Sequence, residues 1–264
     1  MRKYLAAYGI ALQNVLQRRS SLIMDRVGGV AVLASLYYFW LALMNGHKGF
    51  FGYSRAQMIS YVLAINVLRS FVLTGRGWEL VGDISGGRIS SYLVRPMSYA
   101  GYSLSLDLAQ KTVYLGSAVL EIAIFAALVR ARFYVPRHWS AWLGFAAATA
   151  MSSLLFFVME FMVSSLAFWT SESGGPLFCF ELFIQFAAGA FFPLDVLPKV
   201  IRRVLDLSPF PYLVFFPINI YLERARPGET LRVLAIQGAW LAVMVFLASR
   251  LWRRGLRGYA AEGG

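Results

Sequence analysis

The sequence predicts an all-α integral membrane protein, a single transmembrane domain over residues 1–264 with six transmembrane helices. Three observations predict it. Apolar runs lie near 22–44, 57–74, 112–131, 140–169, 176–192 and 231–251, and each approaches the roughly 20 apolar residues that one helix needs to cross a hydrocarbon core about 30 Å thick. Hydrophobic residues make up 59% of the chain and charged residues only 14%, against about 25% charged in soluble domains. Such a chain cannot cover a water-facing surface. Finally, Trp40, Trp78, Trp139, Trp142, Trp169 and Trp252 fall close to the ends of these runs, where amphipathic rings favour the membrane–water boundary.

The net charge is +12. Its basic residues flank the apolar runs and do not gather on one separate face, so anionic lipid headgroups are the expected partner and nucleic acid is not. Cys179 is the only cysteine, which excludes an internal disulfide framework and any multi-cysteine metal site. The Lys/Arg bias of the flanks is weak. The first helix and the Arg253-Arg254-Gly255-Leu256-Arg257 stop favour cytoplasmic N and C termini.

The chain opens with a segment, 1–20, in which Leu5, Tyr8, Leu12, Val15 and Leu16 recur at helical spacing, with Arg2, Arg18 and Arg19 at its ends. An N-terminal interfacial helix along the inner headgroup layer fits this pattern. A cytoplasmic extension of the first span is the alternative. After the second span, the stretch 75–111 is too long for a hairpin between antiparallel helices. Glycines mark its turns, while Ile89, Leu93 and Tyr92 make a short apolar face that ends before Pro96. This predicts a short helix across the cytoplasmic face, or else an ordered but passive loop. The run from Ala146 to Ser153 permits close helix contact, within one chain or between two.

Five of nine prolines fall between Pro193 and Pro217, within a distinctive segment, 193–226. Between Pro198 and Pro209, Val200, Ile201, Val204 and Leu205 share a helical face opposite Arg202, Arg203 and Asp206, as expected of a short amphipathic helix on the outer surface. The stretch 212–224 is apolar but interrupted by Pro217. It is expected to dip into the outer leaflet without crossing, packed against protein as irregular backbone at that depth requires.

Ionisable groups inside the predicted spans are Arg69, Glu121, Glu160 and Glu181. Such groups are costly in hydrocarbon and mark function or a structural polar contact. Glu160 is the deepest by sequence, and a contact between helices is the preferred role for it. Arg69 could pair with one of the carboxylates. His47 and His138 are the only histidines, and neither a zinc pair nor a nucleophile elbow is present. No phosphate-cradling Gly-x-x-x-x-Gly-Lys-[Ser/Thr] run occurs either. An ion-coupled secondary transporter or channel remains an alternative reading, and an enzyme is disfavoured.

The order of N-terminal helix, six spans, an inner Gly-Gly-Arg-Ile-Ser-Ser-Tyr-Leu-Val-Arg-Pro run and an outer Phe-Phe-Pro-Leu-Asp-Val-Leu-Pro run resembles the ABC type-2 (ABC-2) exporter permeases. It looks closest to short bacterial single-domain permeases encoded apart from their ATPase. The resemblance implies a non-catalytic subunit of the bacterial cytoplasmic (inner) membrane that exports an amphipathic or hydrophobic substrate by alternating access. It implies two ABC ATPase subunits as partners, which bind the ATP and Mg, and a second permease, itself or a paralogue. No cofactor is implied in this chain. By position, Glu79, Asp83, Arg88, Tyr92, Arg95 and Pro96 would form or flank a coupling helix that docks on the ATPase. Pro193, Asp195, Pro198, Pro209, Pro211 and Pro217 would belong to extracellular re-entrant helices capping the exit path. The second and fifth spans would line that path near the dimer axis.

Overall fold

The computed structural model describes residues 2–45, 49–94, 96–130, 133–170 and 174–262. Helix α1 (Arg2–Gln17) leads through a break at Arg18 into α2 (Arg19–Leu43), and a two-residue hairpin, β1 (Gly49–Phe50) with β2 (Tyr53–Ser54), precedes α3 (Arg55–Phe71). Two short helices follow, α4 (Gly77–Ser85) and α5 (Ile89–Leu93), and then the long α6 (Tyr99–Val129). Next come α7 (Trp139–Ser164) with a 3₁₀ extension to Phe168, α8 (Gly174–Ala187), α9 (Lys199–Asp206), α10 (Phe215–Tyr221) and α11 (Pro227–Glu262).

Among the described residues, four helices are long and apolar enough to cross a membrane: α2, α6, α7 with its extension, and α11. The second and fifth predicted spans are shorter. Helix α3 has 17 residues and α8 has 14, about 25 Å and about 21 Å at 1.5 Å per residue. Each gives way to folded, non-α-helical backbone that the apolar run alone does not distinguish from helix.

Residues 99–111, expected within the inner loop, are instead the first turns of α6. Lys111, counted by sequence among the flanking charges, is completely buried, as is Asp107. The two form an ion pair one turn apart at 2.8 Å, and mutual neutralisation is what lets the helix continue through a point where sequence suggests a boundary. The loop proper therefore ends near Ser98, whose hydroxyl accepts from the Gly101 amide and caps α6. Likewise Ser54 and Gln57 form a reciprocal capping box at the start of α3.

Helix α1 lies along the first half of α6. Tyr4 meets Ser98, the Tyr8 hydroxyl donates to Thr112 at 3.0 Å, and Ala11 is buried in the seam. Leu5, Ile10 and Leu16 remain exposed on the other side. Part of the small-residue run on α7 packs within the chain: Ala148, Thr149, Ser152 and Ser153 are buried, whereas Ala146, Ala147 and Ala150 stay exposed. Gly144 allows the approach of Ile220 and Thr230, each 3.0 Å from where a Cβ would stand.

The end of the bundle farthest from α4 shows how irregular backbone is accommodated. The Phe215 amide at the start of α10 donates to the carbonyl of Ala188, just beyond α8, and the Tyr61 hydroxyl donates to the carbonyl of Gly189. The Tyr212 carbonyl accepts from both Ser152 on α7 (2.7 Å) and Gln237 on α11 (3.1 Å). Unmet backbone groups away from water cost several kcal/mol, so these bonds are what make a broken chain tolerable here. Replacing Gln237 by Leu removes one donor from each of the Tyr212 and Ala148 carbonyls and leaves the Ser152 hydroxyl to serve both; we expect a loss of about 1–3 kcal/mol, read as a lowered melting temperature in detergent.

Candidate functional site

The elbow between α3 and α4 is tightly built. Gly75 and Gly77 sit against the Glu160 side chain of α7: a Cβ on Gly75 would fall 1.7 Å from Glu160 Oε2, and one on Gly77 would fall 2.8 Å from Ser164 Oγ. Between them the Arg76 amide donates to Glu160 Oε2 at 3.2 Å. Two turns earlier on the same face of α7, the Ser153 hydroxyl reaches the Phe71 carbonyl at the end of α3 (3.4 Å), and Lys111 donates to Ser153 Oγ (3.1 Å). The end of α3 and the start of α4 are thus both fastened to α7. Glu160 of α7 meets the backbone at the start of α4.

Beyond the elbow, Leu80, Ile84 and Ile89 pack into a second core with Tyr99, Phe157, Phe161 and Ala167. Asp83 closes the turn: Oδ1 accepts from Arg88 Nε and Oδ2 from the Tyr99 hydroxyl, both at 2.7 Å. Tyr92 stands edge-on to Tyr99, which stacks on Trp252 of α11. Gly87 takes φ +72° beside the Tyr259 hydroxyl, a backbone conformation that side chains rarely adopt. Asp83 and Tyr92 therefore hold the α4–α5 tip together from inside. Its outer surface is a strip formed by Ser85–Arg88, Ser90, Ser91, Val94 and Pro96, in which Val94 is 85% exposed. Glu79 is half-exposed and within 3.7 Å of Arg76. The Pro96 carbonyl accepts from Lys3 of α1. Arg95 and His47 lie outside the described residues.

The other intramembrane charges are arranged differently from the sequence expectation. Glu121 is taken by Arg26 of α2 (3.6 Å) and by Asn66 (3.3 Å), and among the described residues no carboxylate pairs with Arg69. Arg26 was not a candidate because it sits near the edge of its apolar run. Glu181 is half-buried on α8 and faces Trp78 of α4. The Asp107–Lys111–Ser153 node was also missed; its signal was the i, i+4 spacing of opposite charges leading into an apolar run.

At the far end, Asp195 is a hub. It accepts from the Tyr53 hydroxyl (2.7 Å), from Arg202 of α9, and from Arg224 (3.5 Å), whose guanidinium lies 3.6 Å from the centre of the Tyr53 ring. Pro193 precedes the 3₁₀ turn Leu194–Val196, Pro198 caps α9, and Pro209 leads the turn Phe210–Tyr212 that contains Pro211. Pro217 is buried in α10. Helix α9 leaves Val200, Ile201 and Val204 exposed. A second hub, Glu223, accepts from the Tyr134 hydroxyl, the amides of Arg137 and His138, and the His138 ring. The Tyr134 hydroxyl first, and then these N–H donors, hold its carboxyl down at about 2.

Among the described residues, four helices long and apolar enough to cross a membrane fit a multi-pass membrane protein. The sequence profile described as ABC-2 family transporter protein matches residues 30–263. The chain belongs to the ABC-2 transporter family, as a multi-pass permease of an ABC transporter with an ATPase partner. No protein of curated function matches it. The matched region contains the elbow, the α4–α5 tip and the far hubs.

Two outcomes follow from this geometry. Gly75→Ala should destabilise the domain by about 1–3 kcal/mol through overpacking, and Glu160→Ala in the same chain should recover part of it; denaturant melts of the two variants beside the unsubstituted chain check this. Because the folded carboxyl of Glu223 lies below its usual value, its stabilisation is complete above about pH 4.5 and is lost as pH falls towards 2. Amide exchange at Arg137 and His138, corrected for intrinsic rate, should report that loss in the native chain. In Glu223→Gln, protection should be weak and flat over the same range.

Proposed function

We propose that this chain is one permease half of an ATP-driven exporter that moves an amphipathic or hydrophobic substrate outward across the bacterial inner membrane. Two such halves, two copies of this chain or one with a paralogue, join two ATPase subunits that carry ATP and Mg. Both termini are cytoplasmic, and α3 and α8 serve as short second and fifth membrane helices, giving six in all. Segment 193–226 caps the exit.

The observation that carries this reading is the Glu160 junction. A helix tip with a polar, exposed outer strip, rigid within itself, is tied through Arg76 to α7 and through the elbow to α3. A push delivered to that strip by a closing motor reaches two membrane helices directly, because close-packed junctions move as units and do not deform continuously. Asp83, Tyr92 and Pro96 shape the tip, while Arg88 and Val94 are the side chains it offers to the ATPase.

Co-purification of the chain with an ATPase subunit tests the reading, together with substrate-stimulated ATP hydrolysis by the complex. Val94→Asp should lower ATPase binding about 10-fold, the size of one lost interface contact of about 1.4 kcal/mol, with the permease melting temperature unchanged, whereas Arg88→Ala also removes the bond to Asp83 and should lower both. Transport by the purified chain in liposomes that contain no ATPase would replace this reading with that of an ion-coupled transporter or channel.

A further inference from the structure

A half-open cavity of about 290 Å³ lies between α2, α3 and α8, lined by Arg26, Gly28, Asn66, Arg69, Ser70 and Gln185. Its polar groups are unevenly satisfied. Arg26 is spoken for on one side: Nη1 donates to Ser70 Oγ at 3.1 Å and lies 3.6 Å from Glu121, and the guanidinium covers the Tyr114 ring at 4.4 Å. Its Nε is buried without a hydrogen-bond partner among the described residues. Asp25 also lines the cavity, and its Oδ2 accepts from the Tyr114 hydroxyl on α6 at 2.8 Å.

Arg69 is the charge left over. Its Nη1 is buried and has no hydrogen-bond partner among the described residues, and among them no carboxylate oxygen stands within 4.0 Å of its guanidinium. The guanidinium stands over the face of Phe191, 5.6 Å from the ring centre. Gln185 Oε1, across the same cavity, is likewise buried without a partner among the described residues. A guanidinium away from water is costly unless it is paired, and its planar fork matches the two oxygens of a phosphate or carboxylate. Gly28 adds room, since a Cβ there would meet nothing within 4 Å.

We propose that this cavity is a binding site for an oxyanion headgroup, a phosphate or carboxylate, with Arg69 as its principal ligand and Arg26 Nε as the second donor. The apolar wall of Val32, Leu33 and Leu36 on α2 suits the chain of an amphiphile attached to that group. Because α3 and α8 are the helices assigned to the export path, a role for the site in cargo recognition rests on the permease reading above. Binding itself does not.

The test uses the purified full chain without any ATPase, with binding read by native mass spectrometry and by thermal shift. The probes are phosphatidylglycerol, phosphatidylcholine and inorganic phosphate. Phosphatidylglycerol should bind in preference to phosphatidylcholine, and Arg69→Gln should weaken it at least about 10-fold, as expected for loss of a charge-assisted pair. Arg69→Lys should weaken it less, since a point charge keeps the attraction and loses the fork. Gly28→Leu should also weaken binding, by filling the cavity while leaving every charge in place. Competition by inorganic phosphate at comparable concentration would support the site as one for a free anion; its failure to compete would support an amphiphile's headgroup. Equal binding of the two lipids together with no phosphate binding, or phosphatidylglycerol and phosphate binding that survive Arg69→Gln unchanged, would overturn the proposal. If the site binds and no ATPase co-purifies, the site stands and the permease reading falls; an ATPase-bound chain that takes neither anion gives the reverse.

Discussion

The Glu160 carboxylate beneath the α3–α4 elbow is the contact on which the rest of the chain depends. It occupies the space that two side chains would need, so glycine at 75 and 77 is what lets backbone close on it. Its acceptor is met by the Arg76 amide, one of the donors that no intrahelical bond satisfies at the start of α4. An acid that would be costly in an apolar interior is thereby used to hold a helix terminus in place. Helix α4 is positioned by that start, and the second core with Trp252 keeps it from turning.

The same economy of polar groups recurs at the other end. Carbonyls freed where α8 ends are met by the Phe215 amide and the Tyr61 hydroxyl, and the Tyr212 carbonyl is met by α7 and α11 together. Asp195 and Glu223 then bind loops distant in sequence, through Tyr53, Arg202 and Arg224 in one case and Tyr134 and His138 in the other. Short helices and irregular turns persist in such surroundings only because each exposed backbone group finds a partner from a neighbouring helix. The two ends of the bundle are rigid for the same physical reason, and the membrane helices between them join the two.

Much of this was legible in the chain. The four long helices of the described residues follow from apolar length, and α9 from the helical spacing of its apolar face. What escaped was pairing. Lys111 reads as a flank charge until Asp107 is seen one turn away and both are seen buried. Arg69 reads as the partner of an intramembrane acid, yet Arg26 occupies Glu121. Tyr53 and Glu223 carry no local signal at all, since their partners lie between about 80 and 170 residues away in the chain.

By itself the sequence determined that this chain is helical and membrane-embedded, with one built segment between the second and third apolar runs and another before the last. Those properties follow from composition and from periodicity within about 20 residues, the scale of one crossing helix. Only the tertiary structure decided which charges meet, where α3 and α8 stop, and that Glu160 serves the elbow while Arg69 is left facing a cavity. Hydrogen bonds and ion pairs act over a few ångströms, and the folded path of the whole chain sets which groups come that close.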